Sequence, residues 1–279
     1  MSGGNFRPKK SLGQHFLLDP TIIEHILTEA KFGASDLVLE IGPGRGALTL
    51  PLARTVGQVV AVEKDSYLAR SLEKRLSSSG INNVTLINHD ILSFDFQKIL
   101  SPSSKKIHVL GNLPYNITSP VLHKLTENRT VIARAVLMLQ LEVADRLTAS
   151  PGGKTYGAIT LLVKYHEKAT PLVEVPKEAF SPRPKVDSMV IELNFERPYP
   201  GRQDVDLENF KRVVRGGFLH RRKTLLNSFK GAFPPWRREI LSAAMREYGI
   251  DPKRRAETLT MDEFLCLAKV PTIDKRPRS

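Results

Sequence analysis

Leu37-Val38-Leu39-Glu40-Ile41-Gly42-Pro43-Gly44-Arg45-Gly46 reads as a buried strand running straight into a glycine-rich turn. Glycines at this place let the backbone pass tightly from strand to helix and let a ligand come close to it. The spacing is G-x-G-x-G. Ala47 follows, so this is not the G-x-G-x-x-G of dinucleotide binding, and no pyrophosphate need sit on the helix beyond it. Tight strand-to-helix turns also use glycine for structure alone, so the loop by itself leaves both uses open.

Working outward, short apolar runs recur at Val59–Glu63, Val84–Asn88, Ile107–Gly111, Ala135–Leu139, Ile159–Tyr165 and Met189–Phe195. The first four of these, like the opening run, are nearly continuous, as strands covered on both faces should be. Helical patterns fall near 46–56, 66–78, 118–127 and 141–148, and Asp19-Pro20 opens an earlier helix with Asp at the N-cap and Pro at its first position. Alternating strand and helix predicts a doubly wound α/β sheet. The last two runs have no obvious helix between them, which predicts an antiparallel, hairpin-like finish. Glu196-Arg197-Pro198-Tyr199-Pro200-Gly201 is a turn-rich break. Beyond it the pattern is helical, near 206–219, 222–230, 236–248 and 260–268. The expected organisation is a flexible basic arm over 1–11, the sheet domain over 12–197, a smaller all-α C-terminal domain over 201–270 and a basic tail over 271–279.

The 279 residues, 41% of them hydrophobic, suffice for one core and a second small domain. The formal net charge of +13 points to an anionic partner, nucleic acid first. Residues 200–279 hold 18 Lys and Arg against 10 Asp and Glu, more than half of that excess. Cys266 is the single cysteine, so no intrachain disulfide can form, and it lies in the apolar run Phe264–Ala268 as a core residue. There is no Cys/His cluster and no H-E-x-x-H, so no metal is expected. No apolar run approaches the length of a membrane span, and Met1–Lys10 lacks the apolar stretch of a secretory signal. A soluble, cytoplasmic protein is expected.

Two acids give the glycine loop a ligand. Glu63 ends the second strand, 21 residues after Gly42, where a carboxylate can accept both hydroxyls of a ribose. Asp90 follows the third strand and can accept from an adenine amine. Loop and acids all lie at C-terminal strand ends, where open α/β sheets bind ligands. Singly, each acid also fits a surface or capping carboxylate; together with the loop they suggest S-adenosylmethionine.

Asn112-Leu113-Pro114-Tyr115 follows the next strand. Such an N-x-P-Y quartet suits methylation of a nucleobase exocyclic amine, a poor nucleophile because its lone pair is delocalised into the ring. An Asn side-chain carbonyl and a neighbouring backbone carbonyl can accept its two N–H bonds, which favours a pyramidal nitrogen and frees the lone pair. Pro114 stiffens the loop, and Tyr115 offers a flat face to an unstacked base. Apart from this context, the quartet is also a proline-containing turn after a strand.

At these residues the chain resembles the KsgA family of ribosomal RNA adenine dimethyltransferases. The resemblance rests on Ser11-Leu12-Gly13-Gln14-His15-Phe16-Leu17, Glu40–Gly46, Asn112–Ile117, Pro151-Gly152-Gly153-Lys154-Thr155-Tyr156-Gly157 and Phe180-Ser181-Pro182-Arg183-Pro184-Lys185-Val186-Asp187-Ser188, and covers nearly the whole chain. It implies a Rossmann-like S-adenosylmethionine-dependent methyltransferase sheet. It implies donor contacts at His15, Leu17, Gly42, Gly44, Glu63, Asp90 and Asn112. Asn112 and the Leu113 carbonyl would serve catalysis, with Tyr115 on one face of the target adenine and Phe180 closing on the other. One departure is visible: the first motif usually reads Q-N-F-L, and His15 stands where Asn is usual.

The substrate implied is a pair of adjacent adenines near the 3′ end of small-subunit (16S) ribosomal RNA, each carried to N6,N6-dimethyladenine during ribosome assembly. Arg221, Arg222, Lys223, Lys253, Arg254 and Arg255 are the candidate phosphate contacts, although a charge run also fits a solvated face. The partner expected is the small ribosomal subunit, met by a monomer. Two alternatives share much of this pattern. One is an Erm-type methyltransferase of large-subunit RNA. The other is an RNA-binding assembly factor that has kept a methyltransferase fold.

Overall fold

The structure is a computed structural model that describes residues 13–100, 106–232 and 238–270. The expected basic arm and basic tail lie outside the described residues. The chain forms two compact units, Met1–Ala144 with Ala169–Glu196, and Asp145–Lys168 with Arg197–Ser279.

In chain order the first unit is built on β1 (Phe16–Leu17), α1 (Pro20–Ala30), β2 (Leu37–Ile41), α2 (Thr49–Leu52), β3 (Gln58–Glu63), α3 (Ser66–Ser78), β4 (Val84–Asn88), β5 (Ile107–Asn112), α4 (Thr118–Glu127), β6 (Ile132–Gln140), the first half of α5 (Leu141–Thr148), β7 (Lys168–Val175), β8 (Phe180–Ser181) and β9 (Ser188–Asn194). The main sheet runs β4-β3-β2-β5-β6-β9-β7. From β4 to β6 the pairing is parallel, and β9 returns antiparallel to β6. The chain winds outward from β2 to β4, then crosses back to place β5 on the other side of β2. The strand order therefore reverses between β2 and β5, where Ile41 lies opposite Gly111. An open parallel sheet parts its loops at such a point and binds ligands there. Val38, Leu39, Val59, Ala61, Leu110 and Val136 are buried, as parallel strands covered on both faces require. At the start of α1 the Asp19 carboxylate accepts from the Thr21 and Ile22 N–H groups, as its N-cap position predicts.

One expectation fails in the stretch after α5. Ile159–Tyr165 is not a strand; it belongs to α6 (Ala158–His166). An apolar run of this length is ambiguous between buried strand and buried helix. Here the Thr160 hydroxyl accepts the Gly157 N–H at 3.1 Å, which starts a helix. The sheet instead continues with β7, which carries Pro171 and sits at the sheet edge, where a missing N–H costs no ladder bond. Asp145–Lys168 belongs to the helical unit, and the chain passes from one unit to the other again at Glu196 and Arg197.

The second unit packs α6 with α7 (Leu207–Phe218), α8 (Leu225–Ala232), α9 (Arg238–Glu247) and α10 (Met261–Ala268). Leu161, Tyr165, Phe210, Phe229, Met245 and Phe264 form its core, with Tyr165 stacked on Phe210 at 4.7 Å between ring centroids. Tyr156, fully buried, donates its hydroxyl to Leu259 O at 2.9 Å. Cys266 is only half-buried on α10. Among the described residues no helix is long and apolar enough to cross a membrane.

Candidate active site

A cavity of about 200 Å³ opens at the strand-order reversal of the first unit. Its wall includes His15, Leu17, Gly42, Gly44, Glu63, Asp90, Asn112, Leu113, Tyr115 and Phe180. Every residue that the sequence assigned to donor binding or catalysis thus lines one space, although they come from segments up to 165 positions apart.

The glycine loop separates its two possible uses. Gly42 has φ +66°, and a Cβ built there would meet nothing within 4 Å, so that face is open to a ligand. Gly46 has φ +80°, and its Cβ would stand 2.4 Å from Leu72 Cδ1, so that glycine serves the packing of loop against α3. Gly111 of β5 also lacks room: its Cβ would lie 3.2 Å from Ile41 Cβ. That glycine keeps the two strands of the reversal close, and an isolated Gly in a strand was the sequence signal for it.

Glu63 ties the loop down. Its carboxylate accepts the Gly44 N–H at 3.0 Å and the Asp65 N–H at 2.8 Å, one on each oxygen. Each oxygen keeps a second lone pair for a ligand hydroxyl. Burial pushes the Glu63 carboxyl up from its ordinary range, against the pull of those two amides. Asp90 is held the other way. Lys64 Nζ donates to it at 2.7 Å and the Leu92 N–H at 3.0 Å, and Lys64 is the main reason its carboxyl lies below the ordinary range. Lys64 lines the cavity between the two acids and was missed in the sequence.

The second half of the wall is assembled by β1 and β8, which pair antiparallel with Leu17 opposite Phe180. This ribbon joins the Gln14–Leu17 motif to the Phe180–Ser188 segment. His15 then links both to the quartet. Its Nδ1 donates to Pro182 O at 2.7 Å, and its backbone carbonyl accepts from Asn112 Nδ2 at 3.1 Å. That bond commits the Asn112 amide nitrogen and leaves Oδ1 as the acceptor on this side chain. The His15 ring stacks on Tyr115, 5.7 Å between centroids and 27° between planes. The Tyr115 hydroxyl is anchored on Ser188 Oγ at 3.1 Å. Leu113 is buried, and its N–H donates to Met138 O at 3.2 Å, which fixes the quartet to β6. Phe180 is buried among Leu17, Val175 and Ala179 and presents only part of its surface to the cavity.

In the helical unit the two basic triplets form one surface. The Leu225 N–H donates to Arg254 O at 2.7 Å and the Leu226 N–H to Pro252 O at 3.3 Å, so the two turns that carry them are joined. Their cations divide by role. Arg221 pairs with Glu257 at 2.9 Å and donates to Lys154 O and Tyr156 O, which pins the Pro151–Gly157 motif. Arg254 pairs with Glu263 and donates to Thr258 O at 2.6 Å, holding the capping box of α10. Arg222, Lys223, Lys253 and Arg255 are exposed and make no ion pair among the described residues.

The family model of ribosomal RNA adenine dimethylases matches residues 5–272. The chain belongs to the ribosomal RNA adenine dimethylase family. Within that family it is 45% identical over 258 residues to the ribosomal RNA small subunit methyltransferase A of Desulforapulum autotrophicum, covering 92% of this chain and 89% of that one. The fold of this adenine dimethylase matches a dimethyladenosine transferase from Plasmodium falciparum with a TM-score of 0.77 and 28% identity, over 90% of this chain and 95% of that one. It also matches the 23S rRNA methyltransferase ErmE, TM-score 0.70 and 27% identity, over 90% and 97% of the two chains.

Proposed function

We propose that this adenine dimethylase transfers methyl groups from S-adenosylmethionine to the N6 amines of two adjacent adenines near the 3′ end of small-subunit ribosomal RNA. The observation that carries the reading is the single cavity that gathers the open glycine loop, Glu63, Asp90 and the Asn112–Tyr115 quartet. The empty face at Gly42 and the two acids at successive strand ends fit an adenosine-bearing donor. Glu63 would hold the ribose hydroxyls, Asp90 the adenine amine, and Gly42 and Leu17 the body of the donor. His15 would bound its methionine end. Bound there, the donor supplies an electrophilic methyl group on a sulfonium centre.

The chain's own residues position the amine. Asn112 Oδ1 and the Leu113 carbonyl accept its two N–H bonds and draw the lone pair out of the ring. Tyr115, anchored through Ser188 and covered on one face by His15, presents its other face to the base. The methylated nitrogen is acidic and loses its proton to water, so no general base is needed. The buried Phe180 edge bounds the pocket. Arg222, Lys223, Lys253 and Arg255 would meet phosphates, while Arg221 and Arg254 hold the surface that carries them.

Likeness to ErmE keeps the large-subunit reading in view, because the fold serves both. The 45% identity to a small-subunit enzyme favours the first. Replacing Asn112 by Ala tests the chemistry: transfer should vanish while thermal melting stays that of the wild type. Transfer retained within tenfold would remove Asn112 from the mechanism.

A further inference from the structure

The Phe180–Ser188 segment reaches the quartet twice. Pro182 O holds the His15 ring through Nδ1 at 2.7 Å, and Ser188 Oγ holds the Tyr115 hydroxyl at 3.1 Å. Between these two points His15 and Tyr115 stack on each other. The segment is itself braced. The Asp187 carboxylate accepts the Lys177 N–H at 3.0 Å, and Asp187 O accepts the Leu141 N–H at 3.0 Å. Ser188 opens β9 opposite Gln140 of β6, is 2% exposed and does not line the cavity. Among the described residues Tyr115 is the one hydrogen-bond partner of its hydroxyl. The torsion that turns a tyrosine ring about its own axis is soft. The hydroxyl lies on that axis. The Ser188 bond therefore fixes where the tip of the ring stands, and the His15 stack fixes how its plane is turned.

We propose that Ser188 is a positioning residue that sets how far methylation proceeds: by holding Tyr115 it sustains the second transfer to the same amine. The inference rests on the adenine dimethyltransferase reading above. Each transfer forms an N–C bond and breaks the donor's C–S bond, whose electron pair stays on sulfur, and one proton leaves the nitrogen for water. The unmodified amine offers two N–H bonds, one to Asn112 Oδ1 and one to Leu113 O. After the first transfer one N–H is left, so one of the two acceptors loses its partner. The base then owes more of its placement to the stack on Tyr115. A Tyr115 ring that wanders costs the first transfer little, because two hydrogen bonds still aim the amine. It costs the second transfer more.

The test is a time course of transfer from S-adenosylmethionine to unmethylated small ribosomal subunits, with monomethyl- and dimethyladenine quantified by mass spectrometry. Wild type, Ser188→Ala, Tyr115→Phe and the double variant are compared. Tyr115→Phe keeps the ring and removes the same hydrogen bond from its other end. All three variants should behave alike. Each should slow the second transfer by about tenfold and the first by less than about threefold, so that N6-monomethyladenine accumulates. Donor affinity, measured by calorimetry, should stay at the wild-type value. Equal slowing of both transfers in Ser188→Ala and Tyr115→Phe, or a wild-type ratio of products, would overturn the inference. A double variant slowed by the product of the two single losses would show that the hydroxyls act separately and would overturn it too. Wild type that leaves these adenines unmethylated would instead sink the dimethyltransferase reading, and the inference with it.

Discussion

Gly42→Ala and Gly46→Ala should separate ligand-facing from structural glycine within one loop. Both positions have positive φ, +66° and +80°. Placing Ala there costs roughly 1–2 kcal/mol, offset by about 0.4–1 kcal/mol from the stiffer unfolded chain. At Gly42 nothing stands within 4 Å of the new methyl, so the net loss of stability should stay near about 1 kcal/mol. At Gly46 the methyl would lie 2.4 Å from the Leu72 side chain, which is itself buried on α3 and cannot swing into solvent. Overpacking adds roughly 1–3 kcal/mol, for a total of about 2–4 kcal/mol. Urea unfolding followed by circular dichroism measures both. Calorimetry with S-adenosylmethionine should then rank them in reverse, with Gly42→Ala losing at least about tenfold in affinity (about 1.4 kcal/mol). Equal destabilisation by the two, or wild-type donor binding by Gly42→Ala, would refute the division drawn from the Cβ positions.

Three further outcomes are expected. The raised Glu40 carboxyl gives the folded protein more bound protons than the unfolded chain between its ordinary 4.5 and about 7. Its contribution is therefore intact below pH 4.5 and is lost as pH rises through 7, up to about 3 kcal/mol, so Glu40→Gln should gain on wild type between pH 5 and pH 8 in urea titrations. Arg254→Ala should lower the melting temperature by breaking the Glu263 pair, whereas Arg222→Ala with Arg255→Ala should leave it unchanged. That double substitution should instead weaken RNA binding and reduce the salt slope by about 1 per lost contact.

The parallel strands were legible because each is a short, nearly unbroken apolar run, and the strand-end acids and quartet were legible because each ends or closely follows such a run. The α6 segment was not, because Ile159–Tyr165 is a short run, apolar but for Thr160 and Lys164, whose pattern fits a buried strand as well as a buried helix; the Thr160 hydroxyl accepts the Gly157 N–H at the start of that helix. Edge strand β7 was hidden by Pro171, which argues against an interior strand but not against an edge. Contacts between distant segments were beyond any periodicity. The stack of His15 on Tyr115, the Tyr115–Ser188 bond and the sharing of Arg221 with Tyr156 O depend on where turns bring side chains together. The same holds for the joining of the two basic triplets, which the sequence could list but not connect.

The most direct test is methyl transfer from labelled S-adenosylmethionine to unmethylated small ribosomal subunits, with large subunits in parallel and modified nucleosides identified by mass spectrometry. The expected result is N6,N6-dimethyladenine at two adjacent adenines of the small-subunit RNA and no label in the large subunit. Label confined to the large subunit, or none in either despite measurable donor binding, would contradict it.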